Sequence, residues 1–340
     1  MPFYSKAPLR LGLAGGGTDV SPYCDQFGGA VVNATISLFA HAQLEFIDEE
    51  KIYLIAKDRN ESQTFEVLSN LPIDGKLDIL KSVYNRFQQD YPFQTKGFKL
   101  TTFVDVPAGS GLGTSSTLVV AIVGVFIEML HLKMTSSEIA QFAFKIERED
   151  LQLVGGRQDQ YAASFGGINF ITFSASNKVQ VFPIELQSDI LNLLQKNLIL
   201  YYTNTSRESE TIIKEQQKNV FGNNTSSINA MHELKHQAIQ IKSLLELNSL
   251  EKFGELLNFG FEQKRKMADK ITNPLIEDIY TSAIKAGAIG GKISGAGGGG
   301  FMIFYCEEHT QQKVKQKLLE FGGIIKEFSF TKQGLQTWSN

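Results

Sequence analysis

The tightest constraint on this chain is a run of small residues, Pro107-Ala-Gly-Ser-Gly-Leu-Gly-Thr-Ser-Ser-Thr117, that opens directly into the apolar stretch Leu118 to Leu130. Glycines allow positive φ and close approach of backbone to a ligand. The hydroxyls that follow can cap a helix whose unbonded N–H groups and dipole face an anion, most often a phosphate. Taken alone, the same pattern also describes a plain tight turn. The apolar stretch predicts a buried helix, since it is too short for a bilayer and contains Glu128. The run is not G-x-G-x-x-G, and the G-x-x-x-x-G-K-[ST] motif occurs nowhere in the chain.

Its 340 residues suggest two domains, and 42% hydrophobic residues with 25 phenylalanines supply a sizeable core. A net charge of −3 points away from nucleic acid and anionic membranes as partners. Cys24 and Cys306 are the two cysteines, without metal-ligand spacing, which fits a reducing compartment and no disulfide framework. The opening Met-Pro-Phe-Tyr-Ser-Lys lacks the apolar core of a signal peptide. A cytoplasmic protein is expected, and nothing in the sequence reports its oligomeric state.

Residues 1–57 alternate as strands do, and 77–90 carry helical spacing. A strand from Gly97 to Val106 feeds the glycine run, and Ser136-Ser137-Glu138 predicts a capped helix reaching Glu149. A short helix is expected near Arg157, then strands at Ile168–Phe173 and Lys178–Phe182. In the second half, Leu198–Tyr202 reads as a buried strand. Residues from Ser206 to Lys266 read as helix, broken at Gly222-Asn-Asn, and 274–286 as another helix. Strand Phe301–Tyr305, a helix over 309–321 and a strand over Gly323–Phe330 close the chain. This order predicts an α+β protein.

Two further glycine runs stand near the ends, Ala7-Pro-Leu-Arg-Leu-Gly-Leu-Ala-Gly-Gly-Gly-Thr-Asp19 and Lys292-Ile-Ser-Gly-Ala-Gly-Gly-Gly-Gly-Phe301. In order and content the three runs resemble the motifs of the GHMP kinase superfamily. Phe27-Gly-Gly-Ala-Val-Val-Asn-Ala-Thr-Ile36 and Gly155-Gly-Arg-Gln-Asp-Gln-Tyr-Ala-Ala163 make the likeness greatest to its D-glycero-D-manno-heptose 7-phosphate kinases. The resemblance implies a two-lobed α+β fold with the active site in the cleft between the lobes. The expected lobes are an ATP-binding one over 1–175 and one over 176–340 carrying the third run. The implied activity is ATP- and Mg²⁺-dependent phosphorylation of the anomeric hydroxyl of a heptose 7-phosphate. Fucose, galactose or mevalonate kinases are the rivals within the superfamily, and a non-catalytic sugar-binding regulator is the rival outside it.

Phosphoryl transfer needs phosphates held in line, charge neutralised, and a carboxylate beside the acceptor hydroxyl. By resemblance, ATP lies along Pro107, Gly109, Ser110, Gly111, Leu112, Gly113, Thr114, Ser115 and Ser116. Ser115 and Glu147 align with the Mg²⁺ ligands, with Glu149 competing against Glu147. Asp159 aligns with the base, expected in a first helical turn where the dipole favours negative charge. Arg10 aligns with the basic residue beside that base. Gly16, Gly17, Thr18 and Asp19 are expected on the sugar, with Gly295, Ala296 and Gly297 lining the cleft. Galactokinases have Glu-His-Thr-Asp where this chain has Gly-Gly-Thr-Asp, which argues against galactose. A substrate phosphate would use Arg157, Arg207, or the pair Lys264 and Arg265, although Lys264-Arg-Lys266 also reads as a solvated helix face. The five histidines lack H-E-x-x-H; His232 and His236, at i and i+4 without a third ligand, are expected to face solvent.

Overall fold

The structure, a computed structural model, describes residues 2–94, 96–174, 178–205 and 209–339. With elements numbered in chain order, its larger sheet runs β12 (Gln336–Ser339), β1 (Pro2–Ala14), β2 (Gly29–Phe46), β5 (Phe98–Val104), β3 (Lys51–Ala56), β4 (Glu61–Glu66). β6 (Ile168–Phe173) pairs with the first half of β2 and carries β7 (Val179–Pro183) on its outer side. A second sheet runs β11 (Ile324–Ile325), β8 (Leu198–Tyr202), β10 (Phe301–Tyr305), β9 (Gly290–Ile293). The helices of the first half are α1 (Tyr23–Phe27), α2 (Asp78–Asp90), α3 (Thr114–Met129), α4 (Ser136–Lys145) and α5 (Gln158–Phe165). Those of the second are α6 (Ser188–Asn197), α7 (Ser209–Phe221), α8 (Thr225–Glu246), α9 (Phe253–Arg265), α10 (Pro274–Ala286) and α11 (Glu308–Leu319).

β1 shows how burial follows neighbours. Its first residues alternate between core and partial exposure, but from Ala7 to Ala14 every residue is buried. There α3 packs on β1 and β2, and α8 and α9 also reach the strand, so no part of that stretch is left to solvent. α3 is apolar around its circumference, with thirteen of sixteen residues buried, as such a helix must be. Phe126 is the hub of the aromatic core beneath it: its ring stacks on Phe87 at 5.0 Å and meets Phe93, Phe98 and Tyr84 within 6.4 Å. Glu128, the one charge in the apolar run, accepts from the hydroxyls of Thr337 and Ser339 and so holds the last strand. Among the described residues, no helix is long and apolar enough to cross a membrane.

The sheets do not divide at residue 175. β7 and β12, both beyond it, belong to the larger sheet. The expected strand over Gly323–Phe330 pairs with β8 for two residues only. The chain then crosses to the first sheet, where Ser37 donates to the Ser329 carbonyl at 2.8 Å and Thr331 to that of Thr35 at 3.0 Å. β4 and β12 are short and are not expected from sequence; nor is α6, although Ile190, Leu191 and Leu194 stand at helical spacing there. The helix at 136 is capped by Thr135, not by the serines: Thr135 and Glu138 exchange the two bonds of a capping box. His232 and His236 are exposed, as expected, and His232 Nδ1 pairs with the Tyr23 hydroxyl at 2.8 Å.

Replacing Phe126 with alanine removes the shared partner of four rings. We expect a loss of about 3–5 kcal/mol in unfolding free energy by chemical denaturation.

Candidate active site

The three glycine runs meet because each removes side chains where another backbone must pass. A Cβ on Gly111 would stand 2.7 Å from the Ser294 carbonyl oxygen, and one on Gly300 would stand 2.4 Å from that of Ser110. In the space gained, Phe301 N–H donates to the Ser110 carbonyl and Ser294 Oγ to the Gly111 carbonyl, both at 2.8 Å. From the first run, Arg10 N–H donates to Leu112 O at 3.2 Å. The buried Arg10 guanidinium donates through Nη1 to Gly111 O at 2.8 Å and through Nε to Asp159 Oδ1 at 2.7 Å. One cation thus ties β1, the central glycine loop and α5 together.

Above this junction lies a cleft of 250 Å³, lined by Arg10, Gly17, Asp19, the central loop, Asp159, Glu147, Lys264, Gln216 and Gly295 among others. Gly109, Gly111 and Gly113 all have positive φ, at 73°, 83° and 79°. Gly113 is the N-cap of α3 and no side chain caps that helix, contrary to the capping expected of the hydroxyls. The first N–H groups of α3 therefore remain without a capping side chain at the cleft wall, an arrangement suited to anions.

The carboxylates differ in their surroundings. Asp159 sits in the first turn of α5 with 23% of its side chain exposed. Glu147 is 2% exposed, in a single π-helical turn that follows α4, while Glu149 points to solvent. Glu147 accepts from Ser116 Oγ at 3.0 Å and from Gln160 Nε2, and Arg148 stays 3.8 Å away. Burial pushes its carboxyl above the usual carboxylate range. Asp19, also 2% exposed, is fully engaged. Its Oδ2 accepts the N–H groups of Arg157 and Gln158 at 3.0 and 3.1 Å, and its Oδ1 accepts Gln158 Nε2 at 3.1 Å and Gly17 N–H at 3.2 Å. A Cβ on Gly156 would lie 1.9 Å from Oδ2, so glycine there is what lets the carboxylate reach the helix start.

Two buried lysines stand behind the first run. Lys264 donates to the Gly295 carbonyl at 2.8 Å, and Lys292 to that of Gly12 at 2.6 Å. Burial pushes the Lys264 ammonium down to about 8, and burial with Lys264 nearby takes Lys292 well below the ordinary lysine value.

The chain is similar to known proteins in sequence and in fold. The model for the GHMP kinases N terminal domain matches residues 78–167, and that for the GHMP kinases C terminal domain matches residues 241–324. A D-glycero-alpha-D-manno-heptose 7-phosphate kinase of Campylobacter jejuni is 43% identical over 98% of both chains. The chain belongs to the GHMP kinase family. A crystal structure of a D-glycero-D-manno-heptose 1-phosphate kinase from Bacteroides thetaiotaomicron superposes with a TM-score of 0.85 at 39% identity, covering 99% of each chain. An L-fucokinase/L-fucose-1-P guanylyltransferase of Bacteroides fragilis is 27% identical over 93% of this chain and 36% of its own length. This GHMP kinase is an ATP-dependent sugar kinase with the mixed α and β fold expected of it.

Of the residues singled out from sequence, Arg10, Gly17, Asp19, Gly109, Gly111, Gly113, Thr114, Ser115, Ser116, Glu147, Asp159, Gly295 and Ala296 line the kinase's cleft. Others sit behind it or away from it. Ser110 and Leu112 are buried under the loop, and Pro107 is exposed outside the lining. Thr18 Oγ1 bonds back to Ala30, while Gly16 and Gly297 lie outside the lining. The Arg157 guanidinium lies over Phe144 and toward Asp25, and Arg265 pairs with Glu277 over Phe261. Arg207 lies outside the described residues. Lys264, by contrast, lines the cleft and is not on a solvated face, because α9 turns it inward. Gln158, Gln216 and Lys292 escape sequence reading: buried amides and an isolated lysine carry no spacing signal.

Asp19→Ala leaves the α5 N–H groups without their acceptor. We expect a stability loss of about 2–3 kcal/mol and faster amide exchange at Arg157 and Gln158, readable by hydrogen–deuterium exchange. A second expectation concerns pH. Between about 8 and lysine's ordinary 10.5, the unfolded chain keeps a Lys264 proton that the folded chain has shed, so unfolding free energy rises with pH there. Denaturation across that window should show a shallower rise in Lys264→Met.

Proposed function

We propose that this kinase transfers the γ-phosphoryl group of ATP, with Mg²⁺, to the anomeric hydroxyl of D-glycero-D-manno-heptose 7-phosphate, giving the 1,7-bisphosphate. The choice of acceptor rests on the 43% identity, along nearly the whole chain, to a kinase named for it. The chemistry rests on one observation, the Arg10–Asp159 pair seated against the central glycine loop.

In this reading the open N-terminus of α3 and the loop from Gly109 to Gly113 hold the triphosphate. Asp159 orients the acceptor hydroxyl and takes its proton as the new O–P bond forms. Arg10, its Nε on Asp159 and its Nη1 on the loop carbonyl, stabilises charge on the phosphoryl group in flight. Asp19 acts through α5, whose first N–H groups it binds, and so keeps Asp159 at its station.

Mg²⁺ suits the donors at hand. A buried carboxylate with Arg148 3.8 Å away, together with the exposed Ser115 hydroxyl in the same cleft, gives hard oxygen ligands. Glu147 and Ser115 would hold the ion, which when bound neutralises the β- and γ-phosphates. A cytoplasmic location, where ATP is available, accompanies this reading.

The test is ADP release across D-glycero-D-manno-heptose 7-phosphate, the corresponding 1-phosphate, mannose 6-phosphate, fucose, galactose and mevalonate. We expect the 7-phosphate to give the highest kcat/KM, with a 1,7-bisphosphate as product; preference for another acceptor would overturn the assignment. Asp159→Asn should lower kcat by about 10²–10⁴ with ATP affinity retained, measured by turnover and calorimetry.

A further inference from the structure

The cleft has a second polar corner, where the Gly16–Gly17 turn faces α7 and α9. Lys264 enters from α9, its Nζ 3.7 Å from where a Cβ on Gly16 would stand. Gln216 enters from α7, its Oε1 3.6 Å from where a Cβ on Gly17 would stand. Both side chains line the cleft, and both are buried, at 3% and 2% exposure.

Neither is satisfied by the protein. An ammonium has three N–H donors, and Lys264 is given one acceptor, the Gly295 carbonyl. No carboxylate among the described residues lies within 4 Å of it or of Lys292 behind it. Gln216 Nε2 is buried with no hydrogen-bond partner. Buried donors without acceptors cost free energy, and native structures rarely keep them without a reason. The nearby carboxylates are engaged elsewhere: Asp19 on α5, Asp159 on Arg10, and Glu210 on Lys214 at 2.5 Å. The corner therefore holds a buried ammonium and an amide N–H group that the protein leaves short of acceptors.

We propose that Lys264 and Gln216 form an anion site that grips the phosphate already carried by the acceptor, at the end of the molecule away from the reacting hydroxyl. This rests on the reading that the acceptor is a sugar phosphate. A phosphate monoester brings the acceptor-only oxygens and negative charge that the two side chains lack. The ATP phosphates have their own donors at the start of α3, on a different segment from α7 and α9. Of the basic residues expected from sequence on this phosphate, Lys264 faces the cleft, Arg157 is turned toward Asp25 and Phe144, and Arg265 pairs with Glu277.

The experiment compares D-glycero-D-manno-heptose 7-phosphate with the same heptose lacking its phosphate, in wild type, Lys264→Gln, Lys264→Arg and Gln216→Leu. Losing one charge-assisted hydrogen bond should raise KM for the phosphorylated acceptor about 10- to 100-fold. Preference for the phosphorylated over the plain sugar should shrink by the same factor in Lys264→Gln and in part in Gln216→Leu, with Lys264→Arg recovering some of it. Equal losses on both acceptors, or a rise in KM for ATP alone, would overturn the anion site. Calorimetry with inorganic phosphate, in the presence of a non-hydrolysable ATP analogue, reads the site without turnover. Binding in wild type that Lys264→Gln abolishes supports it, and no binding in wild type overturns it. Phosphate binding without turnover of the heptose phosphate would sink the choice of acceptor and leave the anion site standing.

Discussion

The guanidinium of Arg10 holds this candidate active site together. It lies on a strand buried from Ala7 to Ala14, and its partners are Asp159 from α5 and a carbonyl of the central glycine loop. A charge in such a place is tolerated only when paired and hydrogen-bonded. The position of Asp159 and the path of the loop are therefore linked: moving either leaves a buried cation short of a partner. The same residue bonds the loop through its backbone N–H, at Leu112, so that β1 and the loop are joined at two heights.

Around that pair the glycines act as spacers. Gly111, Gly156 and Gly300 each stand where a methyl group would collide with a polar atom of a neighbouring segment. Their absence of side chains brings carbonyls, carboxylates and N–H groups within hydrogen-bonding distance. The open N–H groups at the start of α3 and the buried lysines are the other side of this design. The cleft presents cationic and N–H donors on several walls, while its carboxylates are mostly bound to the protein. A cleft of that character suits a kinase, whose nucleotide substrate carries phosphate.

Much of the frame was legible in the sequence, because it is written in local pattern. Strands such as Leu198–Tyr202 and Phe301–Tyr305, and the helix at 274–286, follow from apolar periodicity, Gly and Pro positions and short connections. The short edge elements were not. β12 has a four-residue pattern, and its place is set by Glu128 on α3 and by pairing with β1, more than 300 residues away in sequence. The strand expected at Gly323–Phe330 ended early for a similar reason, since its later half finds partners on the other sheet.

The sequence by itself determined that a kinase of this family would carry three glycine runs, one acidic helix start and one strand arginine. Residue type and order carry that information, and so does the family likeness. Only the tertiary structure decided which polar side chains face the cleft. Lys264 and Arg265 are adjacent in the chain, yet one is turned inward onto Gly295 and the other pairs with Glu277. Asp19 lines the cleft where it was expected, and Gly156 lets the same carboxylate reach the first turn of α5 and bind there. The direction of a side chain depends on what packs against its backbone, and most of those neighbours are distant in sequence.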